Sequence, residues 1–316
     1  MITLTDIQAA QARIAGALHR TPILSSTTLA SLAGVPRFEL KCESFQKTGS
    51  FKVRGVLNRL RQLDDDERAR GVVTVSAGNH AQALAWGARA AGVRCTVVMP
   101  AKASQQKVDA SAGYGATVIQ HGTSMDAFHK AHELEASEGF VFVHPFDDDR
   151  TIAGTGTVTL EILDQTAVPD VLVVPVGGGG LIAGMAIAAK EAHPAMRVIG
   201  VEPQGAAVMR QSLDQGRALH MDAPTSLADG LAAPMAGVRN FAAVQRYVDD
   251  IVLVSDDEIA IAMRVLLTRC KLLAEGAGAA ATAALLAGRI PLDGTEHVVA
   301  MLSGGNVDLA TLALLL

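Results

Sequence analysis

A chain of 316 residues, 49% hydrophobic but only 3% aromatic, is long enough for about two domains that each bury a core. Alanine and glycine stand where aromatics would, which suits helices packed closely on parallel sheets and argues against an all-β sandwich. The 27 basic and 32 acidic side chains leave a formal charge of −5 with no long basic run, so a nucleic-acid partner is not expected.

In chain order, short apolar runs rich in β-branched residues predict strands at Arg37–Cys42, Val72–Val75, Cys95–Met99, Thr117–Gln120, 141–143, Val171–Pro175, 197–202, 248–254 and His297–Leu302. Between them, helical spacing marks 81–91 and 259–274, and Ser50 reads as the N-cap of a helix running to about Leu63. Nearly continuous apolar strands alternating with helices predict an α/β protein whose parallel-rich sheets are flanked by helices. The four strands between 72 and 143 form a candidate small inserted domain, 69–144, with 1–68 and 145–316 building a larger one. The only uncharged stretch of membrane length, 171–189, contains Pro175 and four consecutive glycines, so it reads as strand, loop and helix, and no membrane association is expected. Cys42, Cys95 and Cys270 are too far apart for a CxxC metal pair or a disulfide framework. With no apolar signal core at the amino terminus, they read as reduced thiols of a cytoplasmic protein.

Three segments carry chemistry. In Thr48-Gly49-Ser50-Phe51-Lys52-Val53-Arg54-Gly55, Lys52 falls in the first turn of the expected helix, at the positive end of its dipole and beside an aromatic ring. An ammonium is disfavoured there, so its pKa falls and the free amine becomes available for a Schiff base; the plain alternative is a solvated surface lysine. Gly177-Gly178-Gly179-Gly180-Leu181 joins a strand to a helix, where backbone N–H groups converge on an anion. No Gly-Lys-Ser/Thr follows, so it is not a nucleotide P-loop. Gly178, Gly180 and Ala183 do satisfy a relaxed dinucleotide spacing, with Glu202 where a ribose-binding acid would sit, so a nicotinamide-dependent oxidoreductase stays open on this segment. Two polar turns, Ser76-Ala77-Gly78-Asn79-His80 and Ser303-Gly304-Gly305-Asn306, each follow an apolar strand. Ligands of parallel sheets gather at such strand ends, although either turn could simply cap the next helix.

Together with Arg20-Thr21-Pro22, Lys41-Cys42-Glu43-Ser44-Phe45-Gln46, Ala153-Gly154-Thr155-Gly156-Thr157 and Ala228-Asp229-Gly230, these segments in this order resemble the fold type II pyridoxal-phosphate (PLP) enzymes. Within that group the resemblance is to the serine/threonine dehydratases and serine racemases, and it runs over essentially the whole chain. It implies the tryptophan synthase β-like fold and pyridoxal 5'-phosphate as cofactor. Lys52 would hold the cofactor and act as the base at Cα. Phe51 would pack against the ring, Asn79 would bond the ring hydroxyl and Ser303 would face the pyridine nitrogen. Gly177, Gly178, Gly179, Gly180 and Leu181 would cradle the phosphate. Ser76, Ala77, Gly78, Asn79 and His80 would hold the carboxylate of a small amino-acid substrate.

The implied reaction is dehydration and deamination of a 3-hydroxy amino acid, L-threonine or L-serine first, with 3-hydroxyaspartate, phenylserine or racemisation as alternatives. A homodimer or homotetramer is implied too. Ala77 departs from the second serine that racemases use as acid and base opposite the lysine, which favours elimination. Val208 stands where cation-binding relatives have an Asp, so no metal is expected beside Glu202. Thr155 replaces the usual Gln, with an altered cleft shape as the expectation. Met235 and its neighbours after Asp229-Gly230 are candidates for the side-chain pocket. The chain stops soon after the Ser303 turn, without the C-terminal regulatory domain of biosynthetic threonine dehydratases, so a catabolic enzyme without isoleucine feedback is expected.

Overall fold

The computed structural model describes residues 1–315. Its strands are β1 (Ile23–Ser25), β2 (Arg37–Cys42), β3 (Val72–Val75), β4 (Cys95–Met99), β5 (Thr117–Gln120), β6 (Val141–Phe142), β7 (Val171–Pro175), β8 (Arg197–Pro203), β9 (Asp250–Val254) and β10 (His297–Leu302). Six form one sheet in the order β1-β2-β10-β7-β8-β9, and four form another in the order β5-β4-β3-β6. Every pairing is parallel except β1 with β2. The smaller sheet therefore comes wholly from residues 72–142.

The central strands are buried on both faces, as the unbroken apolar runs Val72–Val75 and Val171–Pro175 require. On one face of the larger sheet lies the helix Gly276–Leu286, whose Gly/Ala-rich sequence brings its backbone close to the strands. A Cβ at Gly278 would stand 2.2 Å from the carbonyl oxygen of Gly304, so only glycine lets that helix lie against the turn after β10. The opposite face packs against the helix Gly180–Ala192, which starts at the glycine turn after β7.

Three expectations need correction. Ser50 is not a helix N-cap. It is extended (φ −159°, ψ 163°) and pairs with Gly304 as an isolated bridge, while Phe51 donates its N–H to the Ser303 carbonyl. Phe51 therefore takes the cap position without a side-chain bond, and the helix runs only over Lys52–Leu60. The expected helix 259–274 ends at Val265, continues as one π-turn at Leu266–Cys270 and is closed by Lys271 at φ +60°. Leu272 and Ala274 continue the apolar pattern from an irregular segment and still reach the core. The edge strand β1 was not expected; three residues carry too little alternation to register. Among the described residues no helix is long and apolar enough to cross a membrane.

Candidate active site

The carboxyl ends of the two sheets face a cavity of about 520 Å³. The residues expected to hold the cofactor and the substrate carboxylate all line it: Phe51 and Lys52, Ser76, Ala77, Gly78, Asn79 and His80, Gly177, Gly178, Gly179, Gly180 and Leu181, and Ser303.

Lys52 is the first residue of its helix, and its Nζ donates to the carbonyl oxygen of Pro145 at 2.9 Å, lying 5.2 Å from the Phe51 ring centroid. Burial pushes its ammonium down to about 8 against the opposing field of Glu275. An amine in this state is an available nucleophile near neutral pH.

The glycine turn is fixed by packing and by backbone conformation. Gly179 sits at φ +94°, where a side chain is strained, and a Cβ at Gly178 would lie 2.5 Å from the Phe146 ring. A Cβ at Gly180 would lie 2.7 Å from the Phe146 carbonyl oxygen. The N–H groups of Gly177, Gly178 and Gly179 have no protein acceptor among the described residues, and the helix N-terminus begins at Gly180. Unsatisfied amides at a helix start form a seat for an anion. Thr155 lies behind this seat, donating to the carbonyls of Ile152 and Gly180 at 2.8 Å each, so it braces the turn and does not line the cleft.

Across the cavity, the N–H of Gly78 donates to Ser76 Oγ at 3.1 Å, and Asn79 opens the helix Asn79–Ala91. His80 is buried, and burial and the nearby Lys52 charge hold its imidazole well below its ordinary pKa, so it stands neutral. Ser303, at the end of β10, turns its hydroxyl to the Ala277 carbonyl at 3.3 Å. Lys107 and Asp229, both on the lining, form an ion pair at 2.7 Å between the helix Gln105–Gly113 and the larger-sheet side.

Glu275 lines the cavity and was not singled out from sequence. It accepts from Asn79 Nδ2 at 2.6 Å, and burial pushes its carboxyl up to about 8 while that amide opposes the rise. A signal was available, because Glu275 is the one charged residue between Leu272 and Gly288. Pro145 and Phe146 were also missed, since their contributions are a main-chain carbonyl and a packing surface.

Two other candidates do not reach the site. Glu202 is fully buried and accepts from the N–H groups of Met209 (2.8 Å) and Arg210 (2.7 Å), capping the helix Val208–Gln215. The dinucleotide reading therefore loses its ribose-binding acid. Met235 lies off the lining, which instead includes Leu231, Ala232, Ala233 and Pro234, because Met235 is drawn into a bridge with His220.

The residues fit pyridoxal phosphate. An amine of lowered basicity suits an aldehyde, unpartnered amides suit a phosphate, and Asn79, Phe51 and Ser303 line the same cavity. Residues 14–304 match the family model for pyridoxal-phosphate dependent enzymes. The L-threonine ammonia-lyase of Thermotoga maritima is 44% identical over 309 residues, covering 98% of this chain and 76% of that protein. The catabolic L-threonine dehydratase of Staphylococcus aureus is 41% identical over 313 residues, covering 98% and 90%. Among solved structures, maize serine racemase superposes with a TM-score of 0.94 at 37% identity, covering 99% of this chain and 96% of that one. Fold and site thus define an α/β enzyme of fold type II, with two parallel-rich sheets flanked by helices. The chain belongs to the pyridoxal-phosphate dependent enzyme family, and pyridoxal 5'-phosphate is its cofactor.

Proposed function

We propose that this enzyme is an ammonia-lyase that dehydrates and deaminates L-threonine, and L-serine as the smaller homologue, to a 2-oxo acid and ammonia. The observation that carries the reading is that Lys52 and Ala77 line one cavity, a residue that can take a proton and one that cannot. Pyridoxal phosphate, when bound, supplies an electron-withdrawing ring that acidifies the α-hydrogen of the amino acid joined to it. The chain's own residues do the rest.

Lys52 Nζ would hold the cofactor and, as a free amine of lowered basicity, would take the proton from the substrate's Cα. The amides of Gly177–Gly180 and Leu181 would hold the phosphate, and Phe51 would support the ring. Ser76, Ala77, Gly78, Asn79 and His80 present the turn that binds the substrate carboxylate, and neutral His80 adds no competing charge. Ser303 would offer the ring nitrogen a neutral hydroxyl. A neutral partner at that nitrogen would favour loss of the β-hydroxyl over a long-lived carbanion, and the proton that Lys52 takes from Cα balances the one the hydroxyl needs to leave as water. The released enamine tautomerises and is hydrolysed to the 2-oxo acid and ammonia.

The substrate assignment draws on the threonine-specific names of the Thermotoga and Staphylococcus relatives. Maize serine racemase shares the fold at a TM-score of 0.94, but racemisation needs a proton donor on the face opposite the lysine, and the methyl group of Ala77 has no proton to give. We read 69–144 as the smaller domain and the remainder as the larger. The resemblance supports a homodimer or homotetramer, and three free thiols support a cytoplasmic location.

The test is the absorbance of the PLP-loaded protein before and after L-threonine, with 2-oxobutyrate and ammonia measured in the same solution. A band that shifts on addition, with the two products in equal amounts, is expected. A loaded protein that interconverts L- and D-serine without oxo acid would overturn the assignment.

A further inference from the structure

The carboxamide of Asn79 is held from both sides. Asn306, in the turn after β10, donates from Nδ2 to the main-chain oxygen of Thr48 and to Oδ1 of Asn79, each at 2.7 Å. Asn79 Nδ2 donates in turn to Glu275 Oε1 at 2.6 Å. One fixed point sets the polarity of this chain. A main-chain carbonyl only accepts, so Asn306 presents its NH2 group to Thr48, Asn79 turns its oxygen to Asn306, and its nitrogen faces the carboxyl of Glu275. The reversed amide would set donor against donor at Asn306.

The backbone makes room for this arrangement. A Cβ at Gly304 would stand 2.1 Å from Glu275 Oε1, and one at Gly49 would stand 2.5 Å from Asn306 Oδ1. The Glu275 N–H also donates to the Gly304 carbonyl at 3.3 Å, tying the acid to the end of β10. Glu275 is 7% exposed, and no step of the reaction above uses it.

We propose that Glu275 is a positioning residue for the cofactor's ring oxygen: by fixing the Asn79 amide it leaves that amide's second N–H, rather than its oxygen, for the cavity. An N–H donor stabilises an ionised oxygen, whereas an acceptor in the same place stabilises the neutral hydroxyl. Glu275 therefore holds the bound cofactor's ring oxygen in the ionised form. This inference rests on the pyridoxal phosphate reading of the site and adds to it the residue that sets the direction of the Asn79 bond.

The experiment compares the loaded wild-type protein with Glu275→Ala, Glu275→Gln and Asn306→Ala at one fixed pH. The readout is the ratio of visible to near-ultraviolet cofactor absorbance, which reports ionisation of the ring oxygen. In Glu275→Ala the ratio is expected to fall about tenfold, the equilibrium value of one hydrogen bond to a charged oxygen. Glu275→Gln keeps an acceptor for Asn79 and is expected to stay within about twofold of wild type. An unchanged ratio in Glu275→Ala, or a Gln variant that shifts as far as Ala, would overturn the proposal. Asn306→Ala cuts the chain on the other side of Asn79 and is expected to lower the ratio too; it decides the matter if Glu275→Ala does not fold. A wild-type protein that shows neither band after incubation with pyridoxal phosphate would instead remove the cofactor reading itself.

Discussion

Two residues at the site differ in what they do with protons. Lys52 is half-buried, bonded to a neutral carbonyl and lowered to about 8 by desolvation. Its free-amine fraction therefore rises with pH through about 8, and the rate at which the apoprotein captures pyridoxal phosphate should rise with it and level off above. A capture rate flat from pH 6 to pH 10 would contradict a free Lys52 amine as the nucleophile. Ala77 is the complementary case, a position in the facing turn that carries no proton. General acid–base groups contribute roughly 10²–10⁴-fold, so Ala77→Ser is expected to raise conversion of L- to D-serine by at least about tenfold on chiral chromatography. No gain in a loaded, folded variant would mean that the face opposite Lys52 lies elsewhere. Lys52, Ala77 and the glycines could be read in sequence because each sits in a short motif whose local geometry fixes its role. Glu275 could not be assigned, because its role arises from Asn79 and Asn306, which are distant in sequence. Glu202 misled for a related reason: a strand-end acid looks the same whether it faces a ribose or caps the next helix.

The helix Lys52–Leu60 explains motifs whose role sequence left blank. Two residues after Lys52, Arg54 bonds Glu43 through Nε and Nη2 at 2.8 and 2.6 Å and Glu161 through Nη1 at 3.0 Å. Lys41 reaches Glu161 at 2.7 Å and the Thr21 carbonyl at 2.8 Å, and Thr21 Oγ1 donates to Glu43 at 2.6 Å. Thr21, Lys41, Glu43 and Arg54 are thus one buried network that clamps the helix to β2 and to the helix Asp149–Gln165. Removing one partner of a buried ion pair strands the others, at about 3–5 kcal/mol. Arg54→Met is accordingly expected to lower the unfolding free energy by that amount, read as a lower urea midpoint at unchanged slope, and to loosen the retention of pyridoxal phosphate, read by dialysis. A midpoint equal to wild type would show that the network does not hold the helix. At this scale the sequence pattern placed the strands well, since fully buried parallel strands are continuous apolar runs. It failed at Ser50 and over 259–274, where a pairing with Gly304 and a π-turn override local propensity.

The molecule as a whole sets two parallel sheets so that their carboxyl ends share one cavity, and neither sheet carries a complete site. Lys52, the glycine turn and Ser303 come from outside residues 72–142, while Ser76 to His80 come from within them. The alternation of strands and helices made this α/β architecture legible in sequence. The convergence of the motifs was legible only through the resemblance, because spacing along the chain says nothing about which strand ends meet. Everything proposed for the site depends on the cofactor being carried by Lys52, although the chain has other lysines, and Lys107 also lines the cavity. Borohydride reduction of the PLP-loaded protein, followed by peptide mass spectrometry, reads this directly. The expected result is one reduced pyridoxyl group per chain on the peptide containing Lys52, with none in Lys52→Ala. Modification of Lys107 or another lysine with Lys52 left bare would contradict the account.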